Sequence, residues 1–436
     1  MAGFRDRKID RRLARVTRRR AGLHFPLQLM QSPSSKEGAP AEGGSGAQPL
    51  WIGRIIPEDA IRLCLDPHLL TGGNLIKLLK DGREAFPAML RAIEDAQETI
   101  CLESYIFRSD KTGWRFAEAL STKSRIGVQV LVIYDAVGSR SLDSRMFAEM
   151  RKAGVRVLEY HPIAPWRKGW GWWRRNHRKL LVVDSRIGFT GGINICDDHA
   201  DPFEGGGGWR DTDIQVQGPA ARELQRLFLS TWRDERGESI DERNFLPRAV
   251  EPVGDAVVGV IGTREFRSRR TIRRAYLHAM KSARKSVAIA NAYFAPDRGI
   301  LRALRNAAER GVDVRILLSS RSDVPPVKYA GRALYARLLR WGVRIFEWQG
   351  PVLHAKTAVV DRAWSTIGSY NIDHRSVFHN LELNVTILGT EFGMQMEDMF
   401  EKDLIHSTEI TPQEWRKRPW AGRLLERAFH TLRHWL

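Results

Sequence analysis

At 436 residues, the chain is long enough for two domains with substantial cores, and its 43% hydrophobic and 28% charged residues are ordinary for a globular protein. Its 70 Lys and Arg against 51 Asp and Glu give a net charge of +19, which predicts a polyanionic partner, either nucleic acid or an anionic lipid surface. Three scattered cysteines exclude a cysteine metal or redox motif and indicate a reducing compartment, and no apolar run approaches the ~20 residues of a membrane span.

The N-terminal segment is basic. Residues 1–20 hold nine Arg or Lys and two Asp, a composition typical either of a solvated, disordered tail or of a polybasic arm on an anionic leaflet. No apolar stretch comes after these charges, so a signal peptide is not predicted and the chain is expected in the cytoplasm. Residues 31–49 are rich in Pro, Gly and Ser and predict a linker. Residues 51–70 then predict a lead-in helix packed on the domain that begins after it.

Two series of helices and strands come next, and the second repeats the first. The first series predicts helices at 83–97, 113–124 and 142–153, with the strands TICLESYIF, GVQVLVIYD and GVRVLEY. The second predicts helices at 271–284, 299–310 and 332–341, with the strands SVAIANAYF, GVDVRILLS and GVRIFEW. The similarity of GVQVLVIYD to GVDVRILLS, and of GVRVLEY to GVRIFEW, indicates an internal duplication.

The duplication predicts the fold class. Strands that alternate with helices favour an α/β fold, here two duplicated α/β domains with mixed sheets flanked by helices. One motif in each copy implies a pseudo-twofold axis, with the active site at the interface of the domains. The predicted divisions are a basic arm and linker over 1–50, the first domain over 51–245, the second over 246–410, and a C-terminal helix over 411–436.

One motif is present once in each series. Residues 177–194 read HRKLLVVDSRIGFTGGIN, and residues 354–371 read HAKTAVVDRAWSTIGSYN. Both hold His, Lys at +2, Asp at +7, Gly at +14, a small residue at +15 and Asn at +17. With Lys and Asp at ~6% each, the 12 His predict roughly 0.04 chance matches to the first three positions. The repetition is therefore not accidental.

The spacing of the motif predicts its chemistry. LLVVD and TAVVD predict buried strands, on which the His and the Lys two residues later face the same side. The Gly and the small residue allow close approach of a bound group, and the Asn supplies amide donors beside it. Two such surfaces face to face offer a nucleophile, a general acid and a cationic cage for a phosphoryl group. No carboxylate cluster or Cys/His spacing accompanies them, so no metal is expected. The catalytic candidates are His177, Lys179, Asp184, His354, Lys356 and Asp361, with the two aspartates as organisers at strand ends and not as general bases.

A matched acidic position lies after each motif. Asp213 in WRDTDIQVQGP and Glu382 in HNLELNVTIL are each expected to bind Nδ1 of the histidine of their own copy, which leaves Nε2 free to attack. A surface or helix-capping acid is the alternative. Glu103 and Asn291 hold equivalent places on the first strand of each series and are expected to line the same cleft. Ser369 adds a hydroxyl where its counterpart Gly192 has none, so the half-sites are not expected to be equivalent.

The paired motifs resemble the signature of the phospholipase D superfamily, His-x-Lys-x4-Asp followed by Gly-Gly/Ser-x-Asn. The basic and aromatic loop before the first motif narrows the resemblance to the bacterial cardiolipin synthase branch, and the resemblance covers about residues 73–410. It implies a phosphohistidine mechanism without a cofactor, in which His177 is the nucleophile and His354 the general acid and then base; the two roles could be exchanged. The matched acids would orient the histidines. Lys179, Lys356, Asn194 and Asn371 would bind the phosphoryl oxygens.

The resemblance implies transfer of a phosphatidyl group from phosphatidylglycerol, or another donor such as phosphatidylethanolamine, to a hydroxyl of phosphatidylglycerol, giving cardiolipin. A hydrolytic phospholipase D, a nuclease of the same superfamily and a membrane-binding protein with an inactive site stay open as alternatives. The implied partners are an anionic phospholipid membrane, phosphatidylglycerol and cardiolipin; nucleic acid is not expected, and the oligomeric state is open. Many bacterial cardiolipin synthases begin with two spanning helices that this sequence lacks, so peripheral attachment at the cytoplasmic side of the bacterial membrane is expected.

Two further segments predict lipid contact. Residues 161–176, HPIAPWRKGWGWWRRN, interleave Trp166, Trp170, Trp172 and Trp173 with four Arg and Lys. They favour an interfacial loop; packing on the core and stacking on single-stranded nucleic acid are the alternatives. The C-terminal segment predicts a basic amphipathic helix after Pro419, whose apolar face either binds a membrane or docks on the protein. That face comprises Ala421, Leu424, Leu425, Ala428, Leu432 and Trp435.

Overall fold

The structure is a computed structural model that describes residues 58–141, 143–164, 166, 173–235, 237–247, 249–263 and 270–432. The predicted basic arm and linker, and residues 165 and 167–172 of the predicted tryptophan-rich loop, lie outside the described residues. Among the described residues, no helix has the length and apolar character needed to cross a bilayer.

The strands match the predicted repeats closely and add pairs that were not predicted. They are β1 Leu70–Lys80, β2 Thr99–Ser104, β3 Gln129–Asp135, β4 Arg156–Tyr160, β5 Arg175–Asn176, β6 Lys179–Val183, β7 Ile187–Gly191, β8 Thr212–Gln217, β9 Ala256–Gly262, β10 Ser286–Asn291, β11 Asp313–Ser319, β12 Arg344–Trp348, β13 Lys356–Val360, β14 Trp364–Gly368, β15 Asn380–Leu381, β16 Leu383–Leu388 and β17 Ser407–Glu409.

Helices flank these strands, and short 3₁₀ turns connect some of them. The helices are α1 Glu58–Ile61, α2 Asp81–Asp95, α3 Lys111–Arg125, α4 Ser144–Lys152, α5 Pro219–Asp234, α6 Thr271–Ser282, α7 Arg298–Glu309, α8 Pro325–Arg332, α9 Tyr335–Arg340, α10 His374–Phe378, α11 Thr390–Ile405, α12 Pro412–Lys417 and α13 Trp420–Thr431.

The two repeats share one mixed sheet of 15 strands. Its centre is the antiparallel pair β1–β9, which aligns Leu70 with Gly259 and Asn74 with Ala256. Outward from this pair the order is β8-β7-β6-β2-β3-β4 on one side and β16-β14-β13-β10-β11-β12-β17 on the other. The repeats are therefore arranged alike about the central pair, as the predicted pseudo-twofold requires. The division into two domains near residue 245 stays a prediction.

Both faces of the sheet are covered. In β2, Ile100 and Leu102 pack into the cluster under α2 and α3, whereas Cys101 between them belongs to the cluster under α5 and α11. This double burial explains why the strands are almost continuously apolar. The cluster under α5 and α11 contains side chains of both repeats, including Phe228 and Phe400, and so joins the repeats through one core.

Two predicted helices differ from the structure. The described part of the lead-in segment contains only the short α1 and a 3₁₀ turn over Pro67–Leu69. The predicted helix does not continue to residue 70, because Pro67 interrupts it and the side chain of Asp66 caps the turn that begins there. The single helix predicted at 332–341 is two helices, α8 and α9. Proline at the start of α8 begins that helix earlier than expected, and the break before α9 directs Tyr335 into the core.

Candidate active site

The motif histidines stand just before two strands that begin at the motif lysines, Lys179 in β6 and Lys356 in β13. The backbone N–H of His177 donates to the carbonyl of Leu381 at 3.0 Å, and that of His354 donates to the carbonyl of Arg210 at 2.7 Å. Donor and acceptor belong to different repeats in both bonds. The tertiary fold therefore sets the position of each imidazole.

The imidazoles are paired with carboxylates across the repeats. Nδ1 of His177 lies 3.1 Å from Oε2 of Glu382, and Nδ1 of His354 lies 2.7 Å from Oδ2 of Asp211. The prediction that each acid holds the histidine of its own copy is wrong: the chains cross, so each carboxylate reaches the histidine of the other repeat. Because Nδ1 is engaged, Nε2 is the nitrogen left for chemistry.

The prediction of Asp213 as a histidine partner is also wrong. Strand pairing sets Asp213 opposite Gly191 and Asn384 opposite Gly368, so Asp213 corresponds to Asn384. Its Oδ1 accepts from the backbone of Ile193 at 3.1 Å. Burial, and then the charge of Asp211, raises the pKa of Asp213 to about 8. A largely neutral carboxyl thus stands where the other repeat has an amide.

The sequence holds a signal that identifies Asp211. Gly218 and Gly389 each precede a long helix and have φ of +106° and +140°, values that glycine adopts without strain. Counting back seven residues from these glycines gives Asp211 and Glu382. The strand-like alternation around Asp213 obscured this register.

The motif lysines are buried beside the histidines. Nζ of Lys179 donates to the carbonyl of His177 at 2.7 Å, and Nζ of Lys356 lies 2.9 Å from Nδ1 of His354. Burial and the charge of Lys356 lower the pKa of Lys179 to about 7, and burial lowers that of Lys356 to about 8. A bound phosphate would raise both pKa values, because an adjacent anion favours the ammonium form.

In the absence of a bound anion, burial keeps the imidazoles neutral, whereas neighbouring charges keep the acids ionised. Burial and then Lys179 lower the pKa of His177 to about 4, and burial and then Lys356 lower that of His354. Although burial opposes it, the neighbouring Lys356 and His354 hold the pKa of Asp211 well below its usual range. His177 has the same effect on Glu382, whose pKa is lowered despite burial.

Asn194 and Asn371 line the active-site cavity, but Ser369 has a different role from the one predicted. Its hydroxyl donates to Oε2 of Glu382 and accepts from the backbone of Leu383 at 3.0 Å. Ser369 therefore orients a carboxylate, and the hydroxyl that was expected to serve the substrate is bonded within the protein. Oδ1 of Asn371 has no hydrogen-bond partner among the described residues, which suits a group that awaits a ligand.

The motif aspartates lie away from this chemistry. β6 separates Asp184 from Lys179 by roughly 16 Å, at about 3.3 Å per residue. The carboxylate of Asp184 accepts from the backbone of 97–99, and that of Asp361 accepts from the backbone of 284–286 and from Arg62. Both have positive φ in the hairpin that ends their strand. They therefore organise strand ends, as expected, but they do so at the far end of the sheet, so a direct place among the catalytic residues is wrong.

Glu103 and Asn291 lie beneath the site and not in its wall. Glu103 is fully buried, bonds to the side-chain amide of Asn176 and lies 3.8 Å from Arg178. Asn291 accepts from the backbone of Ile372 at 3.1 Å. The expectation that they line the cleft is wrong, because strand alternation turns both side chains inward.

Two tyrosines that the sequence did not single out occupy the positions expected of Glu103 and Asn291. The ring of Tyr105 lies 4.9 Å from His177, and that of Tyr293 lies 6.1 Å from His354, both edge to face. Each stands two residues after the predicted acid or amide. Their matched places in ESYIF and NAYFA could have identified them.

The site opens into one cavity of about 620 Å³, a volume typical of ligand pockets. Both motif histidines, both motif asparagines and the two tyrosines reach it, so the two repeats converge on a single space. Its other polar lining residues are Arg108, Arg140, Ser141, Arg175, Trp209, Asp323, Asp373, Arg375 and Asn380.

One group in the described part of the chain has the spacing of a metal site: His199, Asp211 and His354. Asp211 already accepts from His354, and the ammonium of Lys356 lies 2.9 Å from the same ring nitrogen. A dication would have to displace a hydrogen bond and sit beside an ammonium. The donor set therefore fits a hydrogen-bonded network better than it fits a metal.

Comparison with known proteins gives consistent matches in both repeats. The family model described as "Cardiolipin synthase, PLD-like domain" matches residues 89–231 and 276–404. A cardiolipin synthase of Halalkalibacterium halodurans is 36% identical over 353 residues, which cover 80% of this chain and 70% of that protein. A cardiolipin synthase of Geobacillus thermodenitrificans is 36% identical over 361 residues, covering 82% of this chain and 72% of that protein.

The fold also matches a solved structure. The phosphatidylserine synthase of Haemophilus influenzae Rd KW20 superposes with a TM-score of 0.65 over 86% of this chain and 96% of that one, at 14% sequence identity. At that identity the match speaks for the fold alone.

Proposed function

The chain belongs to the family of cardiolipin synthases with phospholipase D-like domains, and from this premise we propose how its site performs the reaction. The enzyme transfers a phosphatidyl group from one phosphatidylglycerol, or another phospholipid donor, to a hydroxyl of a second phosphatidylglycerol, giving cardiolipin. The observation that supports this proposal most directly is the pair of histidines in one cavity, each held through Nδ1 by a carboxylate of the opposite repeat.

In the first step, Nε2 of His177 attacks the phosphorus of the donor while His354 protonates the departing headgroup oxygen. His177 suits the nucleophile, because its lowered pKa keeps the ring neutral. His354 suits the acid, because Asp211 lies 0.4 Å closer to it than Glu382 lies to His177 (2.7 against 3.1 Å) and stabilises an imidazolium. The negative charge of the bound phosphate favours the same protonated form of the ring, which is neutral in the free protein. Lys179, Lys356 and the two motif asparagines hold the non-bridging oxygens.

In the second step, His354 takes the proton of the incoming hydroxyl, whose oxygen attacks the phosphohistidine and releases His177. The leaving alcohol departs before the acceptor arrives, so both use the same side of the phosphorus. Water in place of the lipid alcohol would give phosphatidic acid, and the choice between them depends on what occupies that side of the cavity.

The C-terminal helix supports a membrane-facing arrangement. In α13, Glu426 is buried and its carboxylate pairs with Arg418, while Phe429 stacks on Tyr329 at 5.9 Å. The described part of the predicted apolar face is turned away from the protein: Leu424 is 61% exposed and Leu432 is 48% exposed. Trp435 of that face lies outside the described residues. Docking through Glu426 and Phe429 leaves an exposed apolar face with basic neighbours, which favours binding in a lipid interface. The proposed location is therefore peripheral, on an anionic membrane; its cytoplasmic side stays a prediction.

The tryptophan-rich loop adds to this proposal through its two described tryptophans. Trp166 is 86% exposed and Trp173 is 61% exposed, next to the start of the first motif. Trp170 and Trp172 lie outside the described residues.

Removing the exposed apolar groups of α13 in the variant Trp420→Ala/Leu424→Ala should reduce sedimentation with anionic vesicles, while activity on a soluble short-chain lipid stays within about twofold of the unaltered protein. An equal loss of activity on vesicles and on the short-chain lipid would contradict a membrane role for the helix.

The test of the activity uses purified protein and labelled phosphatidylglycerol in vesicles, with separation of cardiolipin from phosphatidic acid. Cardiolipin with release of glycerol supports the proposal. Phosphatidic acid alone would make the enzyme a hydrolase, and cleavage of DNA without lipid turnover would make it a nuclease. Addition of EDTA should leave the rate unchanged, because Lys and Asn supply the phosphoryl cage.

A further inference from the structure

The two ends of the cavity carry opposite charge. At the His177 end, Arg140 and Arg375 line the wall, and both act electrostatically on Tyr105, whose ring lies 4.9 Å from His177. Neither arginine forms an ion pair within 4 Å in the described part of the chain, although the charge of Arg375 acts on Asp373, whose pKa burial raises to about 7. Two guanidinium groups outside close ion pairs suit a phosphate, which accepts hydrogen bonds and carries negative charge.

At the His354 end, the wall is acidic. Asp323 lines the cavity and accepts a hydrogen bond from the hydroxyl of Tyr293 at 2.6 Å. Tyr293 in turn lies 6.1 Å from His354, and the charge of Asp323 acts on both His354 and Lys356. Within the described residues, no Arg, Lys or His is paired with Asp323.

The difference arises in two corresponding loops. Arg140 comes after β3 in the first repeat, and Asp323 comes after β11 in the second; the correspondence of β3 with β11 aligns Asp323 with Ser139, one residue before Arg140. The motif histidines, lysines and asparagines and the two tyrosines are duplicated, so this reversal of charge is a departure from the repeat. The cavity therefore has a basic end at His177 and an acidic end at His354.

A carboxylate without a close ion-pair partner opposes binding of an anionic lipid, since like charges repel. A carboxylate accepts hydrogen bonds and donates none. In phosphatidylglycerol the groups that donate hydrogen bonds are the hydroxyls of the glycerol headgroup. We propose that Asp323 and Tyr293 form a subsite for the glycerol headgroup beside His354, occupied first by the leaving glycerol of the donor and then by the glycerol of the acceptor. This inference rests on the proposed function.

The subsite gives the second step its selectivity. The secondary hydroxyl of the acceptor glycerol donates to Asp323, which places the terminal hydroxyl next to Nε2 of His354. His354 takes the terminal proton, the oxygen forms the new O–P bond, the bond from phosphorus to Nε2 of His177 breaks, and that nitrogen recovers its electron pair. Water and monohydric alcohols lack the second hydroxyl and gain nothing from Asp323.

The test separates the two steps with a chromogenic donor, a short-chain phosphatidyl ester of p-nitrophenol. Release of p-nitrophenol reports formation of the phosphohistidine without a glycerol leaving group. Glycerol and ethanol then compete as acceptors in one tube, and the ratio of phosphatidylglycerol to phosphatidylethanol is independent of the fraction of active enzyme. The variants are Asp323→Asn and Tyr293→Phe, and the matched control is Asp398→Asn, which removes an exposed carboxylate of α11 that pairs with Lys402.

We expect Asp323→Asn to lower the glycerol-to-ethanol ratio by about 10- to 100-fold, the range of one charge-assisted hydrogen bond, with p-nitrophenol release within about threefold of the unaltered enzyme. Tyr293→Phe should lower the ratio less, and Asp398→Asn should leave it unchanged. An unchanged ratio in Asp323→Asn overturns the subsite, as does an equal fall in Asp398→Asn, which would indicate a general charge effect. If the unaltered enzyme forms phosphatidic acid alone, the transferase proposal and the subsite both fail; if it transfers and only the variant ratio is unchanged, the subsite alone fails.

Discussion

The two half-sites share a backbone plan but differ in how many donors surround their carboxylates. Glu382 accepts from the hydroxyls of Ser369 and Ser376 and from the amide of Asn380 in addition to His177. Asp211 accepts from the backbone of Thr212 at 2.8 Å and from His354.

This difference assigns chemistry to a duplicated site. A carboxylate whose charge is shared among several donors polarises its histidine less than one that serves few. The Glu382 side therefore favours a neutral imidazole that attacks, and the Asp211 side favours an imidazole that gains and loses a proton. Four predictions test this comparison, from the largest expected effect to the smallest.

Replacing either histidine should have the largest effect. His177→Ala and His354→Ala should each lower turnover by at least about 10³-fold, because nucleophile and acid act as a unit. The variants differ in what accumulates: acid-quenched His354→Ala should retain labelled phosphatidyl groups on the protein, and His177→Ala should not. Label trapped only in His177→Ala would exchange the two roles. His68→Ala, which removes an exposed histidine outside the cavity, is the control.

Replacing the three acids should lower kcat by different amounts, in the order that their contacts predict. Asp211→Asn should lower kcat by about 10²- to 10⁴-fold, by analogy with loss of the acid of a catalytic triad. Glu382→Gln should cost less, about 10- to 100-fold, since its neighbouring hydroxyls still orient the side chain. Asp213→Asn should stay within about threefold of the unaltered enzyme, because the raised pKa of Asp213 already makes it amide-like.

Steady-state kinetics of the three variants check this order. A severe loss in Asp213→Asn with a mild one in Asp211→Asn would restore the sequence-based assignment and contradict the crossing of the acids.

The two lysines should give the half-sites different pH dependences. The pKa of Lys179 is about 7 and that of Lys356 about 8, and each ammonium is present below its pKa and lost above it. The profile of kcat/KM, which reports the free enzyme, should fall as pH rises through this range. Lys179→Arg should remove the lower step and Lys356→Arg the upper one, because guanidinium stays charged. An alkaline limb unaltered in both variants would exclude the lysines as its cause.

The motif aspartates should affect stability and leave chemistry unchanged. Asp184→Asn and Asp361→Asn should each lower the free energy of unfolding by about 1–3 kcal/mol, the cost of weakened bonds to a charged acceptor. Asp361 should cost more, since it also binds Arg62 at 2.6 Å. Thermal unfolding measures the first effect, and kcat per folded molecule should be unchanged. The folded pKa of Asp361 is lowered, so the stability that Asp361 contributes is present above its unfolded pKa and is lost as pH falls through the folded value.

The sequence predicted the local features of the site well. His177 and His354 share a face with their lysines because strand periodicity is a local property. The internal duplication was visible because each repeat preserves its own strand pattern. The same local regularity caused the wrong prediction at Asp213. The alternation of polar and apolar residues suggested Asp213 as the histidine partner, whereas the pairing of β8 with β7 gives that place to Asp211, two residues earlier.

The crossing of the acids could not be predicted from either repeat alone. Glu382 meets His177 because the chain before β16 runs beside β5, where Leu381 pairs with Asn176. That pairing is between segments about 200 residues apart, and nothing in the local sequence of either segment specifies it. β1 and β9 were missed for a related reason: β1 contains adjacent glycines that weaken the strand pattern, and its stability comes from its neighbours in the sheet.

The reciprocal pairing of histidines and carboxylates has a consequence for how the enzyme is made. During synthesis the first repeat leaves the ribosome before Glu382 and His354 exist, and domains generally begin to fold in that order. A nascent or truncated chain that has folded only its first repeat holds an imidazole without its orienting acid and an acid without its imidazole. Both imidazoles have their orienting acids only after translation has passed Glu382. The complete site is therefore a property of the two repeats together and of neither repeat alone.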